Sequence, residues 1–380
     1  MIQTILFDVD GVFLSEEHYF DASALTVWEL LMSDNYLGLG GEKPFQTDLT
    51  KEQIASIRSQ VFLDDQVLNE LKSRGMNANW DMIDIAFSVQ LIHLAAQLPA
   101  QARAAELFLQ PIDRETLSLF KELFHTYPVN IDFKVFLPDF NGAAVTKQEL
   151  IPYLNKLVKR YLGVQTAIFQ PKSALWHIGE HCSQEWYVGD SHVLQSTGYP
   201  SVQLGKRGFL SQEETLTTPE SIIALFQSLD RSGITIGIAT GRPALETYQP
   251  FKDLGWLSLL DSERIATADD VLAAENAYHA APLAKPHPFT YLLAYHGQSV
   301  DKRRLLSPDS EMLAVGSETL IVGDSLADLL CARQMGCRFA GVLTGLSGEK
   351  ARSGLEAQGA DFILDSVADV YDLVETLNTR

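Results

Sequence analysis

The apolar and polar positions change rhythm along the chain. Ile5-Leu6-Phe7 is a short apolar run stopped by Asp8, as expected where a buried strand ends. Leu25, Trp28, Leu31 and Met32 then recur at helical spacing, and a Gly-rich loop, GLGGEKP (38–44), closes that section. Residues 50 to about 162 read as mostly helical. The pattern predicts helices over 80–98 and 145–163, the second ending at Gly163 as helices commonly do. From 164 to about 217 the periodicity weakens, and Gly, Ser and aromatic residues predict loops and short strands.

The pattern sharpens at Thr218. Thr218-Pro219-Glu220 reads as N-cap, N1 and N2 of a helix with Ile222, Ile223, Leu225, Phe226 and Leu229 on its apolar face and Gly233 beyond its end. A strand is predicted at Ile234–Ala239, broken by Thr240-Gly241-Arg242-Pro243. Further strands are predicted at Thr319–Val322, Gly341–Leu343 and Asp361–Leu364, with helices between. Such alternation predicts a parallel sheet covered on both faces. The expected architecture is therefore α/β: a three-layer, Rossmann-like core from residues 1–20 and 215–380. A large, mostly helical unit, 21–214, is inserted after the first strand, and 164–214 is its irregular part.

Composition narrows the function classes. A chain of 380 residues has room for two or three domains at roughly 100–200 residues each. With 49 acidic against 29 basic residues, the net charge of −20 argues against nucleic acid or anionic membrane as partner. Cys182, Cys331 and Cys337 are odd in number and form no C-x-x-C pair, so they read as reduced thiols of a cytoplasmic protein. The N-terminus lacks a basic n-region, which speaks against a signal peptide. No stretch approaches the ~18–20 apolar residues needed to span a bilayer.

The chemistry lies at strand ends, where open α/β sheets bind ligands. Asp8 and Asp10 follow the first strand; alone, Asp-Val-Asp-Gly is equally good turn chemistry. Thr240 follows the Ile234–Ala239 strand, Lys285 precedes a helix starting near Pro288, and Asp324 follows the Thr319–Val322 strand. Taken in order, Asp8-Val9-Asp10-Gly11-Val12, Thr240, Lys285-Pro286 and Gly323-Asp324-Ser325 with Asp328 resemble the four short motifs of the haloacid dehalogenase superfamily of phosphotransferases. The resemblance covers about 180 residues of split core.

That resemblance implies a hydrolase of phosphoric monoesters. Asp8 would attack phosphorus and form an aspartyl-phosphate, and Asp10 would protonate the leaving group and then activate water. Mg²⁺ would be held by Asp8, Asp324 and the Asp10 carbonyl. Lys285 would offset negative charge, the Thr240 hydroxyl and Gly241 amide would hold phosphate oxygens, and Arg242 either touches phosphate or faces solvent. Asp10 disfavours carbon–halogen and carbon–phosphorus cleavage, since relatives with those activities lack this acid. KPHP and the GADFILDSVADV ending resemble phosphoglycolate phosphatases. The inserted unit corresponds to a cap that selects a small phosphorylated substrate. A phosphomutase of the β-phosphoglucomutase kind shares these residues, and a non-catalytic binding module on the same scaffold is the alternative from another class. Asp328 reads equally as capping partner of Ser325 or as a group near the metal.

Three other features are expected to be structural. Gly189-Asp190-Ser191, a second Gly-Asp-Ser, reads as a surface turn after a weak strand. His177-Ile178-Gly179-Glu180-His181 has the spacing of inverted zinc peptidases, but Gly179 disfavours the helix such a site needs, so a polar patch is expected instead. Trp176, Trp186 and Tyr187 read as packing residues before pocket lining.

Overall fold

The computed structural model describes residues 1–41, 43–76, 78–307 and 311–379. Glu42, in the 38–44 loop, lies outside that set. The chain forms two compact units, residues 1–16 with 210–380 and residues 17–209.

The first unit is a six-stranded parallel sheet. Its strands are β1 (Thr4–Phe7), β2 (Thr235–Ala239), β3 (Ile265–Ala266), β4 (Thr319–Gly323), β5 (Arg338–Val342) and β6 (Phe362–Leu364), in the spatial order β3-β2-β1-β4-β5-β6. Ile5 lies in register with Ile236 on one side and Leu320 on the other. Successive strand side chains point to opposite faces. Ile5 and Phe7 therefore join Ile222, Phe226 and Leu229 in one apolar cluster, while Leu6 joins Phe289, Leu293 and Leu329 in the other. Burial on both faces is why the strand reads as an unbroken apolar run rather than an alternating one. The strand order reverses between β1 and β4, so the ends of these two neighbours form the switch point where such sheets bind ligands.

Local signals explain several boundaries. Thr218 caps the helix Pro219–Arg231, its hydroxyl accepting from Ser221 N at 3.3 Å, and Gly233 supplies the left-handed turn after it. β5 begins three residues before the predicted Gly341 start. Gly341 sits inside the strand because a Cβ there would come within 2.7 Å of Leu355.

The second unit is helical, with helices over Asn79–Ala96 and Lys147–Leu162 close to expectation. The prediction for 164–217 is corrected in part. Residues Ala174–Val188 form a four-turn helix and Val193–Thr197 a short one. Ser173 caps the longer helix through Trp176 N at 3.2 Å. Most of its residues are buried, including Leu175, Ile178, Cys182 and Trp186. Burial all round erases the amphipathic period that marks a surface helix. Gly179 is accommodated because a Cβ there would press on Ile83 Cγ2 at 3.2 Å. Close helix approach thus outweighs the roughly 1 kcal/mol helix cost of glycine.

The segment before Gly189 is accordingly helix, not a weak strand. Asp190 ties down a neighbouring loop, accepting from Ser201 Oγ at 2.6 Å and Gly205 N at 2.7 Å. His177 and His181 do lie on a stable helix, but His181 is committed to Thr197 Oγ1 and the Pro200 carbonyl, each at 3.1 Å. Trp176 donates to Asp81 at 2.7 Å, and Tyr187 stacks on Tyr19 with ring centroids 4.2 Å apart. Among the described residues no helix is long and apolar enough to cross a membrane, and all three cysteines are free and buried.

Candidate active site

Asp8 extends the β1 ladder by one step, its N–H donating to Val322 O of β4 at 2.9 Å. The carboxylate is buried, and Oδ1 accepts from its neighbour Val9 N at 2.8 Å and lies 2.9 Å from Lys285 Nζ. Lys285 arrives on the segment before the helix Phe289–His296 and also lies 2.8 Å from Asp328 Oδ1. Its ammonium sits 4.7 Å from the centroid of the Tyr291 ring, and the Tyr291 hydroxyl donates to Asp328 Oδ1 at 2.8 Å.

The two readings of Asp328 are not alternatives. Ser325 and Asp328 form a reciprocal capping box at the helix Leu326–Gln334, with Ser325 Oγ donating to Asp328 Oδ2 at 2.6 Å. The other oxygen of the same carboxylate faces Lys285. One buried acid therefore starts the helix and joins the charged cluster.

Asp324 follows β4 and has no hydrogen-bond or ion-pair partner for its carboxylate among the described residues. Glycines make room for it: a Cβ on Gly11, at φ +71°, or on Gly345 would run into this carboxylate. Gly323 does the same for Asp328, whose side chain would lie 2.6 Å from an added Cβ.

The electrostatics follow from this crowding. Burial pushes Asp8 up to about 7, against the pull of Lys285. Burial, then Asp328, Asp8, Glu16 and Asp10, push Asp324 well above the usual carboxylate range. Asp328 goes the other way: burial would raise it, but the Lys285 charge and its hydrogen bonds together prevail and hold it low. Lys285 is raised, because burial works against its charge but the two carboxylates beside it outweigh that.

One carboxylate oxygen from each of Asp8, Asp324 and Asp328 lies within 4.8 Å of the other two. Three carboxylates against one ammonium, with one carboxylate unpartnered, fit a hard divalent cation such as Mg²⁺.

Thr240 and Gly241 stand at the end of β2, beside β1. Thr240 N donates to Ala266 O at 3.0 Å, and its hydroxyl accepts from Arg242 N at 3.0 Å. The solvent-facing reading of Arg242 is corrected: the side chain is only 1% exposed and ion-pairs with Asp10 at 2.7 Å and Glu213 at 2.6 Å. Glu213 and Tyr291 escaped sequence reasoning. Nothing near Glu213 marks it, and Tyr291 is one of several apolar or aromatic residues in a buried helix.

The family model described as HAD-hydrolase-like matches residues 282–370, the span carrying Lys285, Asp324 and Asp328. The chain belongs to the haloacid dehalogenase-like hydrolases. An X-ray structure solved as Northeast Structural Genomics Consortium target ZR25 is 37% identical, covers 99% of each chain and superposes with a TM-score of 0.87. The match therefore includes the inserted unit. More distant is a hydrolase from Pseudomonas syringae, 14% identical over 99% of each chain with a TM-score of 0.38. A HAD hydrolase of family IA, variant 3, from Entamoeba histolytica is 12% identical, covering 98% of this chain and 100% of that one, with a TM-score of 0.40. At that distance neither bears on this chain's reaction. No curated protein matches the chain significantly.

Proposed function

We propose that this hydrolase is a Mg²⁺-dependent phosphatase of a small phosphorylated metabolite, working through an aspartyl-phosphate on Asp8. The observation that carries the reading is the pairing of Asp8, one oxygen held by Val9 N and Lys285 Nζ, with the partnerless carboxylate of Asp324 at the neighbouring strand end. Asp8 Oδ2 takes no hydrogen bond among the described residues, which suits a nucleophile.

In the first step an Asp8 oxygen bonds to phosphorus as the bond to the leaving oxygen breaks, and a proton from Asp10 goes to that oxygen. In the second, water bonds to phosphorus while Asp10 takes its proton, and the Asp8–phosphorus link breaks to release inorganic phosphate. Asp8, Asp324 and the Asp10 carbonyl would hold Mg²⁺, which supplies positive charge against the repulsion between carboxylate and phosphate dianion. Lys285 adds fixed positive charge, and Thr240 and Gly241 donate to phosphate oxygens. Residues 17–209 act as the cap that selects substrate. The buried, free cysteines suit a reducing compartment such as the cytoplasm.

The test is a screen of phosphate monoesters with and without Mg²⁺. Mg²⁺-dependent phosphate release that vanishes in Asp8→Asn is the expected result. Isomerisation of a sugar 1-phosphate without net release would make the protein a phosphomutase. Absence of turnover on every ester would leave a binding module.

A further inference from the structure

The reaction proposed above needs Asp10 to deliver a proton to one oxygen and later take one from water, so its carboxylate must be aimed. Asp10 is not placed by its strand. It stands beyond β1, where the chain turns at Gly11, and its carboxylate is 24% exposed. Arg242 is what meets it. Nε donates to Asp10 Oδ1 at 2.7 Å, and Nη2 lies 2.7 Å from the same oxygen. Oδ2 takes no hydrogen bond among the described residues.

Glu213 grips the far side of the guanidinium. Nη1 donates to Oε1 at 2.6 Å and Nη2 to Oε2 at 3.5 Å, in a side chain only 3% exposed. The guanidinium also donates to the carbonyls of Glu246 and Ser15, at 3.3 and 3.5 Å. Glu213 itself is fixed, since its segment is laced to residues 13–15. Ser15 N donates to Glu214 O at 2.8 Å and Leu216 N to Phe13 O at 3.0 Å. A buried guanidinium between two carboxylates presents a rigid planar fork, and here Nε and Nη2 converge on Asp10 Oδ1 and fix that one oxygen.

We propose that Arg242 and Glu213 are positioning residues for proton transfer by Asp10. Arg242 clamps Oδ1, leaving Oδ2 as the oxygen that carries the proton, and Glu213 holds the guanidinium in the orientation that does so. In the first step the Oδ2–H bond breaks and an O–H bond forms on the departing alcohol oxygen. In the second the water proton returns to Oδ2. The inference rests on the phosphatase reading of the site.

The experiment compares leaving groups in Glu213→Gln, a near-isosteric change. An alkyl phosphate needs a proton on its leaving oxygen, whereas 4-nitrophenyl phosphate leaves readily without one. The expected result is a kcat/KM for the alkyl ester reduced about 10- to 100-fold, with the aryl ester reduced only several-fold. A burst of nitrophenol should accompany it, because water activation slows as well. The ratio of the two esters within one preparation is independent of the folded fraction, so partial misfolding cannot mimic the effect. Equal losses on both esters, or no loss on either, overturn the positioning role. Wild-type turnover that survives Asp8→Asn overturns the phosphatase reading instead.

Discussion

Lys285 Nζ lies 2.9 Å from Asp8 and 2.8 Å from Asp328, so its removal leaves two buried carboxylates uncompensated. Without added divalent cation, Lys285→Met is expected to cost about 3–5 kcal/mol of stability, measured by urea unfolding, and, assayed with Mg²⁺, to abolish ester turnover. Asp84, in the helical unit, is a second test at this scale. Its carboxylate is buried without a hydrogen bond among the described residues, and burial, helped by Asp81, pushes it up to about 8. Between pH ~4, where the unfolded residue ionises, and about 8, the folded state holds a proton that the unfolded state releases. Stability from this group is therefore complete below pH ~4 and lost as pH rises through about 8. Asp84→Asn should flatten that slope, which in the wild type reaches at most ~1.4 kcal/mol for each pH unit. Unfolding midpoints compared at pH 5 and pH 8 measure the difference. A slope unchanged in the variant would show that Asp84 is ionised in the folded protein.

At the scale of elements, short glycine-rich turns decide whether the acids can converge. Gly11 combines φ +71° with a Cβ position occupied by Asp324, so Gly11→Ala should weaken Mg²⁺ binding in calorimetry while leaving the secondary structure intact. Ser325→Ala removes the cap of the helix Leu326–Gln334 and one hydrogen bond to Asp328. It should cost ~1 kcal/mol by thermal or urea unfolding. Strand ends and caps of this kind are legible in sequence because they are local: Thr4–Phe7 and Thr218 stand where the pattern puts them. The helix Ala174–Val188 was not legible. Its signal fails because it is buried on most sides and because Gly179 is explained only by Ile83 on another helix.

At the scale of the whole molecule, a cation bound to the folded state alone stabilises it by mass action. Millimolar Mg²⁺ is therefore expected to raise the melting temperature, EDTA to reverse the rise, and Asp324→Asn to abolish it. A rise that persists in Asp324→Asn would place the ion elsewhere.

Sequence alone determined the α/β class, the insertion after the first strand and the positions of Asp8, Thr240, Lys285 and Asp324, because strand runs, caps and short motifs are written in adjacent residues. Tertiary structure decided which of them meet. The strand order sets β1 beside β4, bringing Asp8 and Asp324 to one edge from more than three hundred residues apart. It also brought Lys285 to Asp328 and placed Glu213 behind Arg242. Those pairings depend on burial and on distances between segments far apart in the chain, and no local pattern encodes either.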